Sequence, residues 1–316
     1  MYRKDVPIMK IKIKKHIAVL SAIAAAVLYS ISSPISKLLL SEIPPALMAS
    51  LLYLGAGIGM ASINLIQKKV VPISKDTPFI KRDFPYIAGM ILLDIAAPFL
   101  LMTGLSKASA ANVSLLNNFE IVATSLIAFT LFREKITGRL WFGIGLITLS
   151  SLILSLPEPG SLSFSYSSLF VLGACVCWGF ENNCTRMLSK NSPLKVVILK
   201  GFGSGTGSLL LSFLLHENGI PALYIFFTLI LGFVSYGLSI FCYVYAQRSL
   251  GAAKTSAYYS ISPFIGVFLS LIIFREVPHL SFVLAFLVMA AGTYYTSTDA
   301  KESRFRKFSL HSISVK

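Results

Sequence analysis

Charge is scarce in this sequence. Thirteen acidic and 28 basic residues make up 13% of its 316 positions, about half of what a soluble domain carries. Its apolar residues gather in blocks of about 20 with charges at the seams, not in amphipathic stripes. A soluble fold is thereby excluded in favour of a polytopic membrane protein. Cysteine is scarce as well: Cys175, Cys177, Cys184 and Cys242 all fall inside apolar runs, with no disulfide framework or zinc spacing. Four histidines, His16, His216, His279 and His311, are scattered without paired spacing, so no catalytic centre, metal site or cofactor is read. The net charge of +15 sits in short loops and tails and forms no basic domain, which excludes a nucleic-acid partner.

Requiring about 20 predominantly apolar residues per span predicts ten transmembrane helices, near 17–40, 45–66, 85–106, 108–131, 138–156, 166–188, 194–215, 222–246, 252–274 and 279–298. The expected fold is all-α. The basic stretch before the first span resembles the start of a signal peptide, but the run is span-length and nine more follow, so it reads as an uncleaved helix. Twenty-four of the 28 basic residues fall in the two tails and the even-numbered loops; Lys37, Lys107 and Arg275 fall on the other side, and Lys200 lies within a span. Basic residues are retained inside, so both termini are expected in the cytoplasm.

A repeat is visible at a shift of 142 residues: Phe132-Arg133-Glu134 matches Phe274-Arg275-Glu276, and Ala110-Ala111-Asn112-Val113-Ser114 aligns with Ala252-Ala253-Lys254-Thr255-Ser256. Five spans per unit is odd, so the second unit enters the membrane from the opposite side, giving two inverted five-helix repeats. The expected organisation is a basic tail (1–15), a first repeat (16–156), a second repeat (166–298) and a second basic tail (299–316), with a short breaker-rich joint at Pro157-Glu158-Pro159-Gly160.

An ionisable side chain inside the hydrocarbon costs about 2.5–3.5 kcal/mol on insertion scales, so it usually faces a partner or a cavity. Asp94, Glu120, Glu181 and Lys200 lie well inside spans. Glu181 near the end of span 6 and Lys200 near the start of span 7 both sit roughly 10 Å from the cytoplasmic boundary, which permits an ion pair. Around Glu181, the pairs Glu181/Thr185 and Asn182/Arg186 form two adjacent polar stripes at i, i+4, with Asn183 beside them. Glu120 is flanked by Asn117, Asn118 and Thr124, while Asp94 stands alone among Leu, Ile and Ala; both carboxyls are candidates for proton coupling, Glu120 the stronger. Uncharged lining is offered by Tyr236, Ser239 and Tyr243 in span 8 and by Tyr258 and Ser262, beside Pro263, in span 9. In span 1, Ser30, Ser33 and Lys37 share a face next to Pro34. The run Gly201-Phe202-Gly203-Ser204-Gly205-Thr206-Gly207 lacks the Lys-Ser/Thr ending of a phosphate loop and instead carries two small-xxx-small patterns, suited to close helix packing and permitting a homodimer.

These features converge on a family. Over residues 16–298 the chain resembles the EamA-type permeases of the drug/metabolite transporter superfamily, each half looking like one EamA domain. Leu250-Gly251-Ala252-Ala253, then Ser262-Pro263, then Phe274-Arg275-Glu276 carry the second-half likeness; in the first half Glu120-Ile121 stands where proline is usual. Leu115-Leu116-Asn117-Asn118-Phe119-Glu120 and Cys177-Trp178-Gly179-Phe180-Glu181-Asn182-Asn183 with Lys200-Gly201 look like a bacterial subgroup. The resemblance implies a ten-helix inner-membrane carrier with a central cavity, exporting metabolites, amino acids or drugs.

The expected function is secondary transport by alternating access, with a small-molecule substrate and the lipid bilayer as partners and no ATP-binding motif for primary energy input. Glu120, Glu181, Asn182, Asn183, Lys200, Asn117, Tyr236 and Tyr258 are the expected binding or gating residues, with Glu120 and Asp94 as coupling candidates. The rival readings are a polytopic membrane enzyme acting on a lipid-like substrate, which would need a clustered acid, base or metal site near one face, and a channel.

Overall fold

The computed structural model describes residues 6–70, 79–132, 137–155, 165–188, 191–217, 221–250, 255 and 258–295. Every regular element among them is helical. The first half holds α1 (Val6–Ser30), α2 (Ser32–Leu39), α3 (Pro45–Val70), a 3-10 turn at Lys81–Asp83, α4 (Phe84–Lys107), α5 (Ala110–Leu116), α6 (Phe119–Phe132) and α7 (Gly138–Ser155). The second half holds α8 (Tyr166–Leu188), α9 (Pro193–Leu214), α10 (Ala222–Leu231), a π-helical segment at Gly232–Leu238, α11 (Ser239–Leu250), α12 (Ser262–Phe274) and α13 (Leu280–Tyr295). Six stretches are long and apolar enough to cross a membrane: His16–Leu39, Pro45–Gln67, Lys81–Lys107, Ala110–Leu131, Pro193–Leu214 and Ala222–Arg248. Gly138–Leu154, Ser262–Phe274 and Leu280–Tyr295 are shorter apolar helices. Helix α8 is 23 residues long and more polar, since it carries Glu181, Asn182, Asn183 and Arg186.

Burial runs opposite to that of a soluble protein. Leu20, Leu92, Leu210, Leu214, Phe226, Phe268 and Leu287 are all more than half exposed, whereas Ser36, Ser50, Ser150, Ser204, Ser208, Ser235 and Ser270 are wholly buried. In an apolar solvent the contrast between inside and outside vanishes, and close contact between small residues holds helices together. Some buried hydroxyls donate to carbonyls across the two halves: Ser50 Oγ to Gly205 O at 2.9 Å, Ser150 Oγ to Ala285 O at 2.7 Å and Ser239 Oγ to Ala25 O at 2.8 Å.

Helix packing is reciprocal between the halves. Helix α3 packs along α9, and α5 along α12; α1 lies against α11 as α4 lies against α8. Glycine permits the α3–α9 approach, because a Cβ on Gly201 would collide with the backbone of Gly57. Along α9 the two small-residue stripes serve different neighbours: Gly201 and Gly205 face Gly57 and Leu54 of α3, and Gly203 and Gly207 face Ile91 and Ile95 of α4. Both stripes are therefore used in packing within one chain.

Three long apolar stretches are broken at mid-length. Pro34 leaves the Ser30 carbonyl without its i+4 amide, and α1 gives way to α2 at Ile31. Helix α5 ends at Leu116, and a turn at Asn117–Asn118 leads into α6. A turn at Ser260–Ile261, just before Pro263, opens α12. The last two breaks fall within a residue of equivalent positions in the 142-residue repeat, although Pro263 has no counterpart at Ile121. In the first half the break falls at two asparagines, residues of low helix propensity. The motif residues Arg133 and Glu134, the joint 157–160 and the tail after 295 lie outside the described residues.

Candidate functional site

The unwound α5–α6 junction places Glu120 in the first turn of α6, facing α8. Successive residues of a helix point about 100° apart, so adjacent positions on α8 reach two different neighbours. Asn182 Nδ2 donates to Glu120 Oε1 at 2.5 Å, while Glu181 turns toward α9 and meets Lys200 Nζ at 3.0 Å. Glu181 also accepts from Thr185 Oγ1 one turn later.

Lys200 has a second carboxylate that sequence reasoning did not give it. Asp94 Oδ2 of α4 lies 3.1 Å from Nζ, and Asp94 Oδ1 accepts from Tyr53 Oη of α3 at 2.9 Å. Asp94 is wholly buried, and Glu181 and Lys200 are 2% and 5% exposed. Such burial is tolerable only because the charges compensate one another and are further hydrogen-bonded. Asp94 thus does not stand alone among apolar residues, as its flanking sequence implied; its partners arrive from α3 and α9. The approach of Gly201 to Gly57 holds α9 against α3, so the neighbouring Lys200 reaches the Tyr53–Asp94 pair.

A cavity opens beside this cluster. Glu120, Tyr29 and Tyr53 wall it from the first half, and Trp178, Glu181, Asn182, Thr185 and Lys200 from α8 and α9. The wall is completed by Tyr236, Ser239, Ile240, Tyr243 and Val244 of the π segment and α11, with Tyr259 before the turn into α12. Five tyrosine rings run in sequence along it. Tyr53 meets Tyr236 edge-on with centroids 5.2 Å apart, Tyr236 and Tyr259 each lie 5.8 Å from Tyr29, and Tyr259 meets Tyr243 at 4.9 Å. The π segment, with its wider turn, carries Tyr236; interruptions of this kind recur at functional sites.

Of the residues expected from sequence, Glu120, Glu181, Asn182, Lys200 and Tyr236 share this wall, and Ser239 and Tyr243 stand with Tyr236 as their spacing suggested. Four expected residues do not line the cavity, among them Asp94, which is buried behind it against Lys200. The Asn183 amide donates back to Gly179 O at 2.9 Å within its own helix. Asn117 is buried at the α5–α6 turn, where its carbonyl faces the Cys175 thiol. Tyr258 points elsewhere and Tyr259 takes its place, because the turn at Ser260–Ile261 resets the helical phase that had paired Tyr258 with Ser262. Tyr29, Tyr53 and Trp178 also line the cavity without having been expected there; Tyr53 has only apolar neighbours in sequence.

At one end of the bundle, two charged side chains tie helix termini across the fold. Lys37 Nζ donates to Leu105 O and Ser106 O at 2.8 and 3.0 Å, at the carbonyl end of α4. Glu217 accepts from the amides of Ala46 and Leu47 at 3.3 and 2.8 Å, at the amide end of α3. Each charge has the sign that complements its helix dipole.

Comparison with known proteins places this geometry. The pattern of the EamA-like transporter family matches residues 16–156 and again 165–298. A protein of Methanothermobacter thermautotrophicus described as an uncharacterized transporter is 27% identical over 304 residues, covering 89% of this chain and 86% of that one. A crystal structure whose description states no function shares the fold at a TM-score of 0.63 and 16% identity, over 89% of this chain and 98% of its own. The doubled family match, spanning the helices that wall the cavity, shows that this chain is a multi-pass membrane protein belonging to the EamA-like transporter family.

Proposed function

We propose that the protein is a secondary carrier that moves a small metabolite by alternating access, with ten membrane-crossing helices arranged as two inverted five-helix repeats. The observation that carries the reading is the cavity, which residues of both matched segments wall: Tyr29, Tyr53 and Glu120 from the first face the larger share contributed by the second, including Glu181, Asn182 and Lys200. A carrier needs a site that both moving units touch, so that rocking one against the other exposes it to alternate sides. Reciprocal packing of α1 on α11 and α4 on α8 supports the repeat. With both termini in the cytoplasm of a cell carrying this protein in its inner membrane, Lys37 and Glu217 lie on the outer face, and their ties to α4 and α3 must open when the cavity faces outward.

Coupling is assigned to Glu120. It shares a hydrogen bond with an amide and not an ion pair, so it can take or release a proton without stranding a buried partner. Asp94, the other coupling candidate, is committed to Lys200. Counterflow in proteoliposomes against a panel of amino acids, amines and organic acids, at two pH values, tests the reading. Saturable exchange is expected; flux that rises linearly with concentration would establish a channel instead, and chemically altered solute would establish an enzyme.

A further inference from the structure

We infer that the cavity binds a small organic cation, an amine carrying one positive charge, held by Glu120 within the tyrosine wall. The inference rests on the carrier reading and names its substrate class.

Two independent features point to it. The first is a charge imbalance: Glu120 and Glu181 line the cavity and Asp94 is buried behind it against Lys200, three carboxyl groups against one ammonium. Lys200 is shared by Asp94 and Glu181, which leaves Glu120 with the Asn182 amide as its hydrogen-bond donor. An anionic substrate would meet a site already in excess of negative charge, and a neutral one would leave Glu120 uncompensated unless it bound a proton. A cation satisfies Glu120 directly.

The second feature is the wall itself. Tyr29, Tyr259 and Tyr243 form consecutive ring contacts at 5.8 and 4.9 Å, and Trp178 joins them around Glu120. Aromatic faces carry negative potential and attract an ammonium most strongly where water is excluded. Aliphatic side chains would fill such a wall equally well if its task were only to pack. Size restricts the class: the open volume is about 60 Å³, where one water needs roughly 10–15 Å³ by the same measure. Methylated or primary ammonium groups of a few heavy atoms fit; a drug-sized molecule does not.

The test uses the full chain in nanodiscs with Trp141→Phe, which leaves Trp178 as the only tryptophan reporter. Titration with tetramethylammonium and methylammonium is expected to change its fluorescence saturably. Glu120→Gln should weaken that binding by about tenfold or more. Tyr259→Leu should weaken it roughly fivefold while Tyr259→Phe, which keeps the π face, stays near the parent. If Glu120→Gln does not fold, the Tyr259 pair still decides. Equal responses to alanine, acetate or sodium chloride, or equal binding by Tyr259→Phe and Tyr259→Leu, would overturn the inference. Counterflow of the same solutes separates the two readings: saturable exchange confined to neutral or anionic solutes removes the cation and leaves the carrier, whereas ammonium binding without exchange removes the carrier and leaves the site.

Discussion

Glu181 and Glu120 hold the same functional group in the same cavity, yet they are built into it differently. Glu181 belongs to a compensated cluster in which Lys200 bridges two carboxylates at 3.0 and 3.1 Å, Tyr53 donates to Asp94 and Thr185 donates to Glu181. Glu120 stands in the first turn of a broken helix with an amide donor, in a wall that holds six aromatic side chains. The first arrangement ties α3, α4, α8 and α9 together and resists change, because removing one member strands the others in a dry interior. The second can change its charge or its partner without such a penalty. A carrier needs both: a fixed junction for its moving units and a carboxyl whose state varies through the cycle.

Removing the bridge should have the largest effect. Lys200→Met leaves Asp94 and Glu181 facing each other and is expected to destabilise the protein by about 3–5 kcal/mol, read as a fall in unfolding temperature in detergent. Adding Asp94→Asn and Glu181→Gln to Lys200→Met should recover most of it. Failure of the triple variant to recover would mean that the cluster serves something other than mutual compensation.

Gly201→Ala comes next. Its methyl group would push α9 away from Gly57 and carry Lys200 with it, at a cost of about 1–3 kcal/mol from overpacking. Gly203→Ala, which meets the flexible end of Ile91, should cost less. Reversal of that order, measured by thermal unfolding, would shift the critical contact from α3 to α4.

At Glu120 the effect should fall on transport and not on stability. Glu120→Gln is expected to reduce exchange by about tenfold and to flatten its dependence on pH, with an unfolding temperature close to the parent. If Asp94→Asn instead removed the pH dependence and Glu120→Gln kept it, the roles of the two carboxyls would be exchanged. Tyr258→Leu should have the smallest effect, within about 0.5 kcal/mol in stability and near parent activity, since Tyr258 does not line the cavity. Loss of exchange in this variant would return the site to the helical phase that the sequence suggested.

Legibility from sequence followed the range of the physics involved. The Glu181–Lys200 pair could be anticipated because both depths follow from helical rise and the position of the membrane boundary, and both residues lie close to one loop. Asp94 was misjudged because its flanking residues are apolar, and nothing local reports that Tyr53 and Lys200 converge on it from α3 and α9. Tyr259 was missed in favour of Tyr258 because a pattern at i, i+4 presumes an unbroken helix, and the turn at Ser260–Ile261 ends that presumption. The glycines of α9 were legible as packing residues, but which neighbour they packed against was not.

By itself, then, the sequence determined the solvent and the local geometry. Too few charges to meet water, apolar blocks of span length and a basic tail and loop set make this a membrane protein, since hydrophobic length and charge placement act residue by residue. Tertiary structure alone decided what the buried charges mean. Whether a carboxyl is compensated or left open depends on side chains brought from other helices over a few ångströms, and electrostatic interaction in an apolar interior is set by those distances and not by separation along the chain.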